Sequence, residues 1–90
     1  MFLAKVRGTV VSTSKDERLV GFKLMLIEQI GLPQEPVGRP EIAVDTVGAG
    51  TGSIVIVTKG SSARFAADRK DAPIDSTIVG IVDTVEIGPA

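Results

Sequence analysis

The sequence predicts a mainly β fold, a small closed barrel of five strands with one short α-helix. Three observations predict it. Short runs rich in Val, Ile and Thr alternate with Gly and Pro along the whole chain, which is the pattern of strands joined by turns. No long stretch carries the apolar spacing of an amphipathic helix. The chain has 90 residues, enough for one domain and no more.

Each element has its own signal. Residues 3–13 are rich in Val and Thr, with Gly8 placed for a bulge. Residues 14–18 form a polar connection, in which Ser14 and Glu17 have capping-box spacing for a single helical turn. Because Gly21 follows so soon, the segment reads first as a solvated hairpin-like loop. Residues 22–30 fit either a helical face through Phe22, Leu26 and Ile30 or a buried strand. The flanking Gly21 and Gly31 bound a strand-length run, which selects the strand. Residues 31–40 hold Pro33, Pro36, Gly38 and Pro40 and must be a loop, long for so small a domain.

Residues 41–47 alternate, with Ile42 and Val44 on one face and Ala43, Asp45 and Val47 on the other. A glycine-rich turn at 48–52 leads into an apolar strand at 53–58. The stretch Gly60-Ser61-Ser62-Ala63-Arg64-Phe65-Ala66-Ala67 begins with capping residues and continues with helix formers, so the helix falls there. After Ala72-Pro73, residues 77–87 form a last, nearly continuously apolar strand. Val-Asp-Thr-Val occurs at 44–47 and again at 82–85, but the flanks do not repeat. Five strands of this length close into a barrel filled by its own side chains, and an OB-like barrel is the best match.

Composition removes several functions. With no Cys and no His, neither a disulfide nor a Ser-His-Asp or Cys-His centre can be built, and a structural zinc site is not expected. A domain this small buries only about 60–65% of its unfolded surface, so neighbouring subunits are the remaining means of support. A formal charge of -1 offers no electrostatic footprint for nucleic acid or an anionic membrane. Three Phe with no Tyr or Trp make a poor base-stacking surface; Phe2, Phe22 and Phe65 read as core or interface packing. The start Met1-Phe2-Leu3-Ala4 meets Lys5 and Arg7 too early for a signal peptide, and the apolar runs are too short to span a bilayer.

Two motifs dissolve on inspection. Gly48-Ala49-Gly50-Thr51-Gly52 is not a dinucleotide fingerprint: Ser53 stands at the third glycine position, and a strand follows where a helix is needed. A tight turn explains it better. Ser12-Thr13-Ser14-Lys15 has S-x-x-K spacing without the accompanying motifs of that chemistry. Arg64, a five-donor fork suited to a carboxylate, has Asp45, Asp68 and Asp83 as candidate partners within the chain, or a carboxylate across a subunit boundary.

Taken together, these residues resemble the bacterial microcompartment vertex proteins of the EutN/CcmL type. The resemblance runs over almost the whole chain. It is carried by Ala4-Lys5-Val6-Arg7-Gly8-Thr9-Val10-Val11-Ser12-Thr13-Ser14-Lys15, by Asp45-Thr46-Val47-Gly48-Ala49-Gly50-Thr51-Gly52, and by Gly60-Ser61-Ser62-Ala63-Arg64 followed by Pro73-Ile74-Asp75 and Ile78-Val79-Gly80-Ile81-Val82-Asp83. It implies one vertex domain over residues 1–90, without catalysis or cofactor, that assembles as a homo-pentamer. Such pentamers sit at the five-fold vertices of a shell otherwise tiled by hexameric and pseudohexameric proteins, in the bacterial cytoplasm. The resemblance further implies a ring-interface or pore-proximal role for Gly60, Ser61, Ser62, Ala63 and Arg64, and a shell-edge role for Ser14, Lys15, Gly48, Ala49 and Gly50. Ser53 departs from the acidic residue that many members carry. The end of the chain soon after the last strand looks more like metabolosome than carboxysome members. The competing expectation is a small OB-like binding module for single-stranded nucleic acid or a small ligand.

Overall fold

The computed structural model describes residues 1–89. Five strands, β1 (Phe2–Val10), β2 (Lys23–Gln29), β3 (Glu41–Asp45), β4 (Ile54–Lys59) and β5 (Ser76–Ile81), close into a barrel in the order β1-β2-β3-β5-β4. Neighbours are antiparallel except β3 and β5, which run parallel. One helix, α1 (Gly60–Ala66), connects β4 to β5. The barrel and the helix position agree with the sequence.

Alternation puts one face of each strand inside. Ala4 and Val6 of β1, Met25 and Ile27 of β2, Val55 of β4 and Ile78 of β5 form a sealed interior. Each large aliphatic among them contributes about 1.5–3 kcal/mol by leaving water. A second cluster lies outside the barrel wall, where Ala63 of α1, Ala67 just after it and Ile74 pack on Val44, with Leu19 and Leu24 at the margin. β3 therefore buries both faces in part, Ala43 inward and Val44 under the helix, while Ile42 on the same outer face as Val44 stays 53% exposed.

Several boundaries differ from the sequence expectation, each because pairing stops where a partner stops. β1 ends at Val10, opposite Leu24 near the start of β2, and not at Thr13. The expected irregularity at Gly8 is present as a register shift between Val6 and Gly8. β5 ends at Ile81 instead of residue 87, because β4 supplies no partner beyond Val55 and a last bond from Val82 N to Ile54 O at 2.8 Å. The polar connection does contain a helical turn, a 3-10 turn at Glu17–Leu19, but Asp16 caps it and Ser14 does not. The loop at 31–40 makes one bridge, Ile30 to Pro36, and contains a cis Leu32-Pro33 bond.

Candidate functional site

The glycine turn closes the end of the barrel where β3 finishes and β4 begins. Asp45 organises it: one carboxylate oxygen accepts from Val47 N at 3.1 Å and the other from Ala49 N at 2.9 Å. This folds Ala49 into the barrel mouth, where it is fully buried. Gly52 N donates to Val6 O at 2.8 Å, and Val6 N donates to Ser53 O at 2.9 Å. Lys23 Nζ donates to Ala49 O at 2.8 Å. Gly48 and Gly52 have φ of 80° and 92°, a region that disfavours any side chain. Gly50 has ordinary φ, is exposed, and a Cβ there would meet nothing within 4 Å. The turn itself needs Gly48 and Gly52; it does not need Gly50. Ser53, the departure noted above, accepts through Oγ from Gly50 N at 3.2 Å, so its role here is local.

The second predicted stretch forms α1. Its hydroxyls do not cap the helix, contrary to expectation: the N-cap is Lys59, with no side-chain cap bond, and Ser61 and Ser62 are exposed. Gly60, at φ 64°, turns the chain into the helix and donates its N–H to Asp75 O at 2.9 Å. The hydroxyls fail as caps because they fall inside the first turn instead of before it. Ala63 is buried, and its carbonyl accepts from the buried Thr77 hydroxyl at 2.8 Å. Arg64 pairs with none of Asp45, Asp68 or Asp83. Its Nη1 donates to Ile74 O at 3.2 Å, and among the described residues it has no ion pair.

Ser14 and Lys15 lie in a loop that the structure ties to the helix side. Ser12 Oγ donates to Ser14 O at 2.8 Å, and Lys15 Nζ to Ser12 O at 2.5 Å. Just beyond, Arg18 bonds Asp16 and reaches Asp71 O at 2.7 Å, in the connection after α1. The side-chain bond from Arg18 holds the Asp16 carboxyl down at about 2. No hydrogen bond or ion pair joins Ser14 or Lys15 to the glycine turn among the described residues. Of the three Phe, Phe2 and Phe22 pack on the two clusters, while Phe65 is exposed with Lys70 Nζ 4.8 Å from its ring centre.

Sequence reasoning missed one charged group. β3 and β5 pair at only two positions, Val44 with Thr77 and Asp45 with Ile78. Beyond them the seam is held by side chains. Lys59 Nζ lies 2.5 Å from Glu41 and 3.0 Å from Asp75, and Ser76 donates its hydroxyl to Glu41. Partial burial pushes the Glu41 carboxyl up, but the bonds from Lys59 and Ser76 outweigh it and hold the carboxyl below its ordinary 4.5. The bond to Glu41 raises the Lys59 ammonium above 10.5, against a smaller opposing effect of burial. These residues are far apart in sequence, and no local spacing signals them. Alongside the seam runs an apolar cleft of about 280 Å³, lined by Leu19, Leu24, Ile42, Val44, Ile74 and Ser76 among others. Among the described residues no group of three or more acidic side chains is placed to hold a metal ion.

The family model described as "Ethanolamine utilisation protein EutN/carboxysome" matches residues 1–83. The chain belongs to this EutN/CcmL family. It is 54% identical over 86 residues to the bacterial microcompartment shell vertex protein GrpN of Rhodospirillum rubrum, covering 96% of this chain and 97% of that protein. It is 48% identical over 87 residues to the carboxysome shell vertex protein CcmL of Synechocystis, covering 97% and 87%. The solved structure of the GrpN pentameric microcompartment shell protein matches with a TM-score of 0.88 at 52% identity, over 98% of this chain and 100% of that one. These EutN/CcmL relatives are structural shell vertex proteins, not enzymes.

Proposed function

We propose that this chain is a structural subunit of a microcompartment shell and works as a homopentamer that closes a five-fold vertex. The observation that carries this reading is the full-length likeness, in sequence and fold, to a pentameric shell protein. The physical logic is geometric. Hexagonal tiles make flat sheets, and five-fold units supply the curvature that closes them. A five-fold ring needs head-to-tail contacts between two different faces of each subunit. Its outer edge meets hexameric shell proteins, in a compartment of the bacterial cytoplasm. Identity alone does not separate a metabolosome from a carboxysome, since the chain is 48% identical to the Synechocystis CcmL and 46% identical to the Salmonella PduN.

Within that reading, the α1 stretch serves the ring and the glycine turn serves the shell edge. Arg64 has no carboxylate partner in its own chain among the described residues, which leaves its remaining donors for a neighbour. Gly50 is glycine at a place where its own chain requires none, which suits close approach by another protein.

Native mass spectrometry tests the assembly: five copies are expected, and a stable monomer at micromolar concentration overturns it. Arg64→Ala is expected to weaken the pentamer, and an unchanged ring would remove Arg64 from the interface. Gly50→Val is expected to leave the pentamer intact while co-expressed shells fail to close. Normal closed shells would count against an edge role for the turn.

A further inference from the structure

Two features of this chain are incomplete in complementary ways. The first is the segment after β5. Residues 82–87, Val-Asp-Thr-Val-Glu-Ile, alternate with Val85 and Ile87 on one face, the period of a strand. Yet the ladder stops at Ile81, and after Val82 N bonds Ile54 O, residues 83–89 make no further hydrogen bond among the described residues. Val85 is 39% and Ile87 71% exposed. A strand-forming sequence with apolar side chains thus has no strand beside it.

The second feature is the seam. On its β5 side, β3 has no paired residue from Glu41 to Ala43. That open flank borders the apolar cleft, with Ile42 on its floor and Leu19, Leu24 and Ile74 around it. The flank offers unpaired backbone and an apolar bed together, which is what an added strand needs.

The two features lie at opposite ends of β5. The cleft borders Ser76 at its start, and the tail leaves from Ile81 at its finish. At about 3.3 Å per residue these are roughly 17 Å apart along the strand. The tail of one chain therefore leaves its own cleft open, and the complementarity is head-to-tail, the kind that closes a ring. We infer that the apolar face of the tail, Val85 and Ile87, docks in the β3–β5 cleft of the next copy of this chain, beside Ile42, and so bolts consecutive subunits of the ring. This rests on the pentamer reading given above.

The chain contains no cysteine, which gives a clean test. A variant carrying Ile42→Cys and Ile87→Cys, and a second pairing Ile42→Cys with Val85→Cys to cover a shifted register, are oxidised as full-length protein. At least one is expected to give a ladder of cross-linked species up to five chains on a non-reducing gel, collapsing to single chains with reductant. Separately, Ile87→Asp is expected to weaken each subunit contact by roughly 10- to 100-fold, the factor for losing the burial of one large aliphatic side chain. The tail makes no contact that the barrel needs, so the monomer should still fold, as checked by circular dichroism. Five copies by native mass, with neither pair cross-linking between chains and no effect of Ile87→Asp, would sink the docking while leaving the pentamer standing. Cross-linking confined within single chains would also overturn it. A protein that is monomeric at every concentration would overturn both.

Discussion

At the finish of β5 the barrel is closed by backbone, whereas at its start the seam to β3 is closed by charge. Around the glycine turn, Val6 exchanges main-chain bonds with Gly52 and Ser53, Val82 N donates to Ile54 O, and Asp45 satisfies two more N–H groups. Around the seam, only Val44 and Asp45 find partners on β5, and Glu41, Lys59, Asp75 and Ser76 bridge the rest. Backbone pairing fixes geometry and leaves no gap. A side-chain bridge spans a gap without filling it, so the cleft persists there. The difference teaches that a small barrel can be finished at one end by its own chain and left at the other for a neighbour.

That contrast can be broken. The largest expected effect is from Asp45→Ala, which strips partners from Val47 N and Ala49 N. Two such bonds are worth about 1–3 kcal/mol together, read in urea denaturation of the folded protein. A loss no greater than that of Glu41→Ala would mean that the two ends are not held differently. Next comes Gly52→Ala, which forces a side chain into positive φ at a cost of about 1–2 kcal/mol, or a drop in melting temperature of about 4–8 °C per kcal/mol.

The seam should respond to pH. The Glu41 carboxyl is depressed on folding, so its contribution is present above the ordinary value and is lost as pH falls through the lower folded value. Glu41 is about a third exposed, which limits that contribution to under about 1 kcal/mol. Glu41→Gln should therefore narrow the stability difference between pH 7 and pH 3 relative to the unmodified protein. Identical pH profiles would show that Lys59 holds the seam without it. The smallest effect belongs to Gly50→Ala, which should change stability by less than about 0.5 kcal/mol. A clear loss would give Gly50 a role inside its own chain and weaken its assignment to the shell edge.

The turn shows how much was legible and how much was not. Asp45 two residues before Val47, with Gly48 and Gly52 following, is readable as a turn because each bond it makes is local. What could not be read was that Gly50 differs from its neighbours, since that depends on φ and on empty space. The helix was placed by its composition, but the capping role expected of Ser61 and Ser62 depended on where the first turn began. The fork of Arg64 suits a carboxylate, but within its own chain the fold gives it the Ile74 carbonyl and none of Asp45, Asp68 or Asp83. Ser14 and Lys15 lie in a loop that the bond from Arg18 to Asp71 O ties toward the helix side, a contact between residues 53 apart that no local spacing shows.

The sequence by itself determined the barrel, its strand-forming runs, its helix and its family, because alternation, turn chemistry and motif order are properties of neighbours along the chain. It also determined that no thiol or imidazole chemistry is available, since those residues are absent. Only the tertiary structure decided where β1 and β5 stop, which glycine the turn can spare, and that Glu41, Lys59 and Asp75 meet across an open seam. Each of those depends on which strand lies beside which, and a strand ends where its partner does, whatever its own residues prefer.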